Sequence, residues 1–386
     1  MSSTPCCPVC GSGDLETVLR VEDMPALCNA FAASAEEALA MPRGDIELVS
    51  CRGCGMLFNA CFDPALAPYD SAYENSLHFS PRFQEFAEEL ADGLARRYGV
   101  PGGTVVEIGS GGGDFLGMVA SRGFARGVGI DPSLAAARED RAGEASLTFL
   151  PGTVADAPAG LQADLVVCRH VLEHVPDPVA LLRDARRSVG REGTGLYVEV
   201  PDAEHMLAAP AVWDLIYEHV GYFTDSALRA ALASAGWAVT ATGRSFGNQY
   251  RWAEAIASPL AATNGDRRPA TAVDVERFNE VYAATLLRWN RYLDEAAADG
   301  RRVAVWGAGS KGVAFANAVA HRMEAFVDIN ERKHGRFVPG IGGPVCSPSQ
   351  IVGRVDTVLV MNPLYLREVE EEGAAAGLEA VYLPVE

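Results

Sequence analysis

Long hydrophobic runs are missing from this sequence of 386 residues, and none approaches the 18 or more residues that a membrane-spanning helix needs. Positive charge is also scarce, since 32 Lys and Arg stand against 51 Asp and Glu and give a formal net charge of −19. Such an acidic chain repels phosphate backbones, so we expect no nucleic-acid partner. The N-terminus has neither the basic nor the apolar region of a secretory signal. We expect a soluble, cytoplasmic protein with no membrane partner.

Cysteines are too few for a secreted disulfide framework, yet six of the nine lie at or before residue 54. Two Cys-x-x-Cys pairs, Cys7 with Cys10 and Cys51 with Cys54, are each followed by glycine. Glycine lets the backbone turn its amides toward thiolate sulfur, and four thiolates fit one tetrahedral Zn²⁺ ion. We therefore predict a structural zinc site. Two unrelated surface turns or a reduced dithiol are the alternatives, and Cys6 is an alternative ligand to Cys7.

The length suits two or three domains, and 49% hydrophobic with 22% charged residues is typical of a folded globular chain. Ser80-Pro81 predicts the start of a helix that ends at Gly99. From about residue 100 to 259, short apolar runs separated by helical stretches predict an α/β fold with a doubly wound parallel sheet. A long amphipathic pattern over 275–300 and new strands beyond it predict a second, smaller Rossmann-like unit.

The first glycine-rich loop follows the first predicted strand of the central sheet. Glu107 closes that strand, and Gly109, Gly111 and Gly113 line a turn where a ligand can touch the backbone. Asp131 ends the next strand, where its carboxylate can accept hydrogen bonds from both ribose hydroxyls. These features fit NAD or S-adenosylmethionine (SAM). An acid at the Glu107 position opposes a pyrophosphate and suits a cationic methionine headgroup, so the loop predicts SAM.

The fourth predicted strand ends in the segment CRHVLEHVPDP, which looks like the segment after this strand in class I methyltransferases. There the strand's end borders SAM and the substrate. We expect one histidine beside SAM and assign His174 a structural role. The predicted cofactor-binding residues are Glu107, Gly109, Gly111, Gly113, Asp131, Pro132, Arg169 and His170.

A second glycine loop, with glycines at 307, 309 and 312, matches the dinucleotide fingerprint, and Asp328 follows the next strand. Taken alone, this pattern predicts NAD. Such a turn can instead seat a substrate's diphosphate on a helix N-terminus, helped by Lys311, or bind nothing. The pattern leaves these three alternatives open.

The order of the parts resembles a known family. A four-cysteine segment, a SAM loop, the segment WDLIYEHVGYFT and a C-terminal WGAGSKG domain reaching VLVMNP follow one another. This order is similar to that of the zinc-containing, three-domain C-methyltransferases, whose best-known members methylate C-3 of TDP-linked 3-keto-deoxysugars in antibiotic biosynthesis. We therefore expect a zinc-binding domain at 1–68, a SAM-binding domain at 69–260 and a Rossmann-like substrate domain at 261–386. The resemblance implies a substrate cleft between the last two.

The resemblance also implies a glutamate-histidine pair beside the reacting carbon, here Glu218-His219. Methylating carbon requires removal of a proton next to a carbonyl and stabilisation of the enolate. His219 is the predicted base, Glu218 would fix its tautomer, and Tyr217 or Tyr222 would donate to the enolate oxygen. The sugar-methylating members carry Tyr-His-Glu-His where this chain has Tyr-Glu-His, and His-Gly-Gly where it reads SFGNQYRW. The alternative is a packed corner whose polar tips bond to the backbone.

These observations predict a SAM-dependent C-methyltransferase of a ketone-bearing small molecule, with a nucleotide-linked keto-deoxysugar as first choice. The alternatives are an O- or N-methyltransferase of a secondary metabolite, and a zinc-containing scaffold that has lost catalysis. The predicted substrate-binding residues are Tyr73, His78, Asn248, Arg251 and Lys311.

Overall fold

The computed structural model describes residues 5–68, 74–208, 212–258, 269–319 and 323–385. Its described strands form three sheets of four, eight and five strands. Within the described ranges, no helix is both long and apolar enough to cross a membrane.

The N-terminal sheet is antiparallel, and β1 pairs with β2 along nearly its whole length. Its fourth strand, Gly221–Tyr222, comes from much later in the chain and pairs with β3. This pairing ties the segment around residue 219 to the N-terminal sheet. The elements of this region are β1 (Leu15–Pro25), α1 (Ala35–Leu39), β2 (Arg43–Cys51) and β3 (Leu57–Asn59).

The central sheet has the order β11-β12-β9-β8-β4-β5-β7-β6, and its five middle strands run parallel. The three remaining strands, β6, β11 and β12, lie antiparallel at the edges. The elements are α2 (Pro81–Tyr98), β4 (Thr104–Ile108), α3 (Asp114–Gly123), β5 (Arg126–Asp131), β6 (Arg138–Ala142), β7 (Ala145–Pro151), β8 (Leu165–Arg169), α4 (Pro178–Ser188), β9 (Gly195–Pro201), α5 (Ala203–Ala208), β10 (Gly221–Tyr222), α6 (Asp225–Ser234), β11 (Trp237–Ser245) and β12 (Tyr250–Ala257).

Local sequence explains where these elements begin and end. The Ser80 hydroxyl accepts a hydrogen bond from Phe83 N at 3.2 Å, Pro81 takes the first helical position, and α2 ends before Gly99 as predicted. Between β5 and β8, however, the expected helical stretch is wrong, because the strands β6 and β7 occupy this part of the chain. The segment β6 is polar and exposed, so it offers no apolar face to pack as a helix, and Gly143, at a φ of 58°, turns it into a hairpin with β7.

The C-terminal sheet is wholly parallel in the order β15-β14-β13-β16-β17. Before it, the long helix α7 links two regions, because Asn279 donates to Val18 O of β1 while Trp289 packs on Phe315 of α8. The elements are α7 (Val275–Ala298), β13 (Val303–Trp306), α8 (Ser310–Ala318), β14 (Ala325–Val327), β15 (Val345–Cys346), β16 (Thr357–Val360), α9 (Leu366–Ala375) and β17 (Val381–Pro384).

One hydrophobic cluster joins the N-terminal sheet, the segment from residue 203 to 222 and the C-terminal sheet. Ile46, Trp213, Tyr222 and Phe326 are all buried in it. The segment that carries residue 219 is therefore held between the two outer sheets. The predicted fold class, α/β with a four-cysteine segment, a doubly wound central sheet and a smaller Rossmann-like sheet, is confirmed.

Candidate functional site

A cleft of about 420 Å³ opens where the carboxyl ends of the central and C-terminal parallel sheets face each other. Parallel α/β sheets bind ligands at this end of their strands. Loops after β4 and β8 line one side, and loops after β13, β14 and β16 line the other. The lining residues include Glu107, Gly109, Gly111, Arg169, His170, Glu173, His174, His219, Gly307, Lys311, Asp328, Lys333 and Asn362.

The first glycine loop lies in the cleft as predicted. Gly109 has a φ of 72°, and a side chain there would collide with Val171. Gly111, at a φ of 49°, donates its N–H to the Asp131 carboxylate at 2.8 Å. The backbone therefore faces the cleft at two positions whose φ angles glycine adopts without steric cost.

Glu107 is 5% exposed and lines the cleft at the end of β4. Burial raises the pKa of its carboxyl to about 8, against the opposing effect of Arg169. Its Oε2 has no hydrogen-bond partner within the described residues. A cationic group that entered the cleft would supply the missing partner.

Three of the predicted cofactor-binding residues lie behind the loop instead of lining the cleft. The Asp131 carboxylate accepts hydrogen bonds from Gly111 N and Ser133 N, both at 2.8 Å. Gly113, at a φ of 92°, begins α3 against Phe149, and Pro132 is exposed. In this structure Asp131 braces the loop, and its predicted direct contact with a ribose stays a prediction.

Arg169 and His170, at the end of β8, line the cleft as predicted. The Arg169 guanidinium pairs with Glu199 at 2.8 Å and lies over the Phe115 ring at 4.2 Å. His170 has a φ of 53°, in the left-handed region that few residues other than glycine adopt. Burial opposes its charge, but contacts with Glu173 and Glu199 outweigh burial and raise the pKa of His170.

Glu173, His174 and His219 form what we call the cleft cluster. One ligand atom from each side chain lies within 4.8 Å of the other two. The centroids of the two imidazole rings are 4.9 Å apart. Burial lowers the pKa of His174, and burial together with His174 and His170 lowers that of His219 well below its usual value. Both imidazoles are therefore neutral near pH 7. The cluster lies next to His170, on the side of the cleft that carries the first glycine loop.

The partners predicted for His219 point elsewhere, which corrects the assignment of Glu218, Tyr217 and Tyr222. Glu218 is 1% exposed and accepts a hydrogen bond from Cys28 N at 3.2 Å. The Tyr217 hydroxyl accepts one from Asp63 N at 2.8 Å. The Tyr222 hydroxyl donates to Ile216 O at 2.9 Å and accepts from Ile216 N. None of the three lines the cleft, and all three match the alternative of a packed corner.

The second glycine loop forms the opposite wall. Gly307 has a φ of 106°, and α8 begins directly after Gly309. Lys311 Nζ lies 3.1 Å from Asp214 Oδ2, and the buried Lys333 donates to Ala308 O at 2.9 Å. This wall presents two cations and the first turn of a helix to the cleft.

The other predicted substrate-binding residues have different outcomes. His78 lines the cleft, whereas Tyr73 lies outside the described residues. Asn248 and Arg251 line a separate depression. Arg251 is 6% exposed and pairs with Asp202 at 3.1 Å, so in this structure its charge is balanced by a buried carboxylate outside the cleft.

Sequence reasoning missed Glu173 and Lys333, and it treated His174 as structural. The available signal for the first was spacing: His170, Glu173 and His174 follow a parallel strand within one turn, so all three can face its carboxyl end. Lys333 follows Asp328 by one short turn.

The four predicted metal ligands lie together at the N-terminal end of the chain. The Sγ atoms of Cys7 and Cys54 are 3.5 Å apart, as are those of Cys10 and Cys51, and all four lie within 4.8 Å. Zinc bound at about 2.3 Å to four sulfurs places them roughly 3.8 Å apart, so this donor set fits the ion.

Each Cys-x-x-Cys pair closes on its glycine in the same way. Gly11, at a φ of 71°, donates to Cys7 O at 2.9 Å, and Gly55, at a φ of 79°, donates to Cys51 O at 2.8 Å. Cys6 is exposed and is not in the cluster of four. The two equivalent turns bring the four sulfurs to one point.

Comparisons with known proteins identify two domains. A model described as a methyltransferase domain matches residues 82–242, and one described as a C-methyltransferase C-terminal domain matches residues 260–379. No curated protein sequence matches the chain.

Solved structures resemble parts of the chain weakly. Magnesium protoporphyrin IX methyltransferase from Synechocystis PCC 6803, with bound SAH, is 20% identical at a TM-score of 0.36, covering 46% of this chain and 84% of that one. The 1,6-didemethyltoxoflavin-N1-methyltransferase from Burkholderia thailandensis is 15% identical at a TM-score of 0.36, and the match covers 46% of this chain and 81% of that one. Likenesses this weak identify no substrate.

Proposed function

We propose that this chain, which carries a methyltransferase domain and a C-methyltransferase C-terminal domain, is a SAM-dependent enzyme that methylates a carbon next to a carbonyl of a small molecule. The observation that carries this proposal is the cleft cluster, which gathers two neutral imidazoles and a carboxylate beside the SAM loop. Methylation of an oxygen or nitrogen that is already nucleophilic requires no group that stabilises an enolate. A carbon acid needs a proton acceptor and a group that holds the enolate.

SAM would occupy the side of the cleft formed by Gly109, Gly111 and Glu107. The open backbone of the loop suits close approach, and the unpartnered Glu107 carboxyl suits the α-ammonium of the methionine portion. SAM supplies an electrophilic methyl group on a sulfonium. The protein's part is to hold that methyl in line with the substrate carbon.

The reaction breaks one C–H bond and leaves its electron pair as an enolate. The proton passes to the cleft cluster, which contains His219, the base expected from the sequence. The enolate carbon then forms a bond to the methyl group as the S–CH₃ bond breaks, and the sulfur keeps its electron pair as neutral S-adenosylhomocysteine (SAH).

A nucleotide-linked keto-deoxysugar of antibiotic biosynthesis remains the first-choice substrate. The second glycine loop, Lys311, Lys333 and the first turn of α8 would hold a diphosphate opposite the SAM loop. A diphosphate there would leave the sugar ring between the two walls, next to the cleft cluster.

We also propose that the four cysteines hold one structural zinc ion. The Ser226 hydroxyl donates to Cys54 O at 2.9 Å, and that of Thr224 donates to Gly55 O at 3.1 Å. The cysteine turns are thereby fastened to the start of α6, so loss of zinc would loosen the N-terminal sheet from the central domain.

The test is methylation of TDP-linked 3-keto-deoxysugars in deuterated water, followed by NMR. We expect a new methyl signal on carbon and solvent deuterium at the same carbon when SAH replaces SAM. A methyl group on oxygen or nitrogen, with no deuterium at any substrate carbon, would refute the proposal.

A further inference from the structure

We propose that the cleft cluster of Glu173, His174 and His219 binds a divalent transition-metal ion, separate from the zinc of the four cysteines. One ligand atom from each side chain lies within 4.8 Å of the other two. Ligands bound to one ion at about 2.1 Å are roughly 3–4 Å apart. Rotamer adjustments of less than an ångström per side chain would therefore close this set around an ion.

In the described parts of the chain, two buried polar atoms of the cluster lack hydrogen-bond partners, which a bound cation could replace. Glu173 is 2% exposed and lines the cleft, and its Oε2 has no hydrogen-bond partner among the described residues. Nδ1 of His219 is likewise buried and has no hydrogen-bond partner among the described residues. Leaving such atoms unsatisfied costs free energy, and a bound ion would satisfy both at once.

The surroundings of the cluster match those of metal-binding histidines. His174 Nδ1 lies 3.0 Å from the backbone oxygen of Glu218, so an N–H there would fix the tautomer with the lone pair on Nε2. Histidines that bind metals usually donate their second nitrogen to a carbonyl or carboxylate in this way. On the other side, His170 Nδ1 lies 3.6 Å from Oε1 of Glu173 and restrains that carboxylate.

The donor types select the class of ion. Two imidazoles and one carboxylate favour zinc, iron or cobalt over magnesium and calcium, and three protein ligands leave coordination positions open. The open positions would face the cleft, because all three side chains line it.

The role of the ion rests on the proposed C-methylation, although its binding does not. Tyr217 and Tyr222, expected to stabilise the enolate, have their hydroxyls bonded to the backbone. A metal ion would bind the carbonyl oxygen and stabilise the enolate in their place. The C–H proton would pass to a hydroxide bound to the ion and form water, while the carbon keeps the electron pair. With the ion bound, this hydroxide replaces the cleft cluster as the proton acceptor of the proposed function, and His219 acts as a ligand.

Cobalt(II) is the probe, because its absorption spectrum separates the two kinds of site. Protein that holds one zinc ion per chain, with the cysteine site filled and the second site empty, is titrated with Co²⁺ in the absence of SAM and substrate. We expect one Co²⁺ per chain with weak visible bands and no thiolate-to-cobalt charge transfer. Glu173→Gln and His219→Asn should each weaken binding at least about tenfold, since each removes a direct ligand. His205→Asn, a half-buried histidine outside the cleft cluster, is the matched control and should bind like wild type.

Failure of wild-type protein to bind Co²⁺ beyond the cysteine site would overturn the inference. Unchanged affinity in both ligand variants would do the same. C-methyl product formed by protein stripped of the second ion would overturn the ion's role and leave the proposed function standing. Saturable Co²⁺ binding combined with methylation of a heteroatom would support the metal site and refute the proposed function.

Discussion

Replacing the ionisable carboxyl of Glu107 is the perturbation that tests the proposed SAM side of the cleft most directly. Burial raises the pKa of this carboxyl to about 8, so the free protein carries it mostly protonated at pH 7. If the α-ammonium of SAM or SAH pairs with the carboxylate, binding must lower this pKa and release a proton. Affinity then rises with pH up to about 8 and levels off above it, because no proton remains to be lost.

A pKa of about 8 for Glu107 sets the size of this effect. In the limit where only the carboxylate binds, the apparent Kd is multiplied by a factor of about 11 at pH 7, about 2 at pH 8 and about 100 at pH 6. Binding of SAH at pH 7 should therefore release about 0.9 proton. Glu107→Gln keeps the shape of the side chain and removes the titration, so its Kd should be flat with pH. Loss of a charge-assisted hydrogen bond should weaken its SAH binding about 10- to 100-fold at pH 8.5.

Isothermal titration calorimetry of SAH supplies the assay. Two buffers of different ionisation enthalpy at pH 7 report the number of protons released, and a series from pH 6 to 8.5 reports the slope. Glu139→Gln, on the exposed edge strand β6, serves as the control and should titrate like wild type. A wild-type Kd that is constant across this range, with no proton release, would refute the pairing of Glu107 with the methionine headgroup.

Cys54→Ser should lower both zinc content, measured by elemental analysis, and the midpoint of thermal unfolding; stoichiometric zinc in the variant would contradict the four-cysteine site. His219→Ala should reduce turnover about 100- to 10,000-fold while SAH affinity by calorimetry stays near that of wild type; retained turnover at saturating SAM would remove His219 from the chemistry. Tyr222→Phe should lower the free energy of unfolding by about 1–2 kcal/mol in urea titrations, because Ile216 loses its partner, with little change in turnover. A large loss of turnover in a stable Tyr222→Phe protein would return an oxyanion role to that hydroxyl.

Local spacing predicted those parts of the molecule that depend on local geometry. The Cys-x-x-Cys-Gly turns and the Ser80-Pro81 helix start are formed within a few residues, so they could be read from the chain. The sequence could not show whether Glu218 or Glu173 lies beside His219 in the cleft. The segment around residue 219 is irregular, and the direction of its side chains is set by the pairing of β10 with β3. That pairing turns Glu218 toward Cys28 and away from the cleft.

Asp131 shows a second limit of spacing. Its place at the end of β5 was correct, but its carboxylate is engaged by the backbone of the loop it was expected to assist. Position along a strand predicts which end of the sheet a side chain reaches. It does not predict which hydrogen-bond donors reach that side chain first.

Lys311 and Lys333 are the only lysines in the 386 residues, and both line the cleft. These two lysines therefore carry the only primary amines among the side chains of this protein, because arginine has a guanidinium group instead. Reductive methylation with ¹³C-formaldehyde would place NMR probes at the cleft and the α-amino group alone, with the more exposed Lys311 reacting ahead of the buried Lys333. For the same reason, immobilisation through amines would attach the protein either by this cleft or by its α-amino group, so surface-based binding assays should couple it through another group.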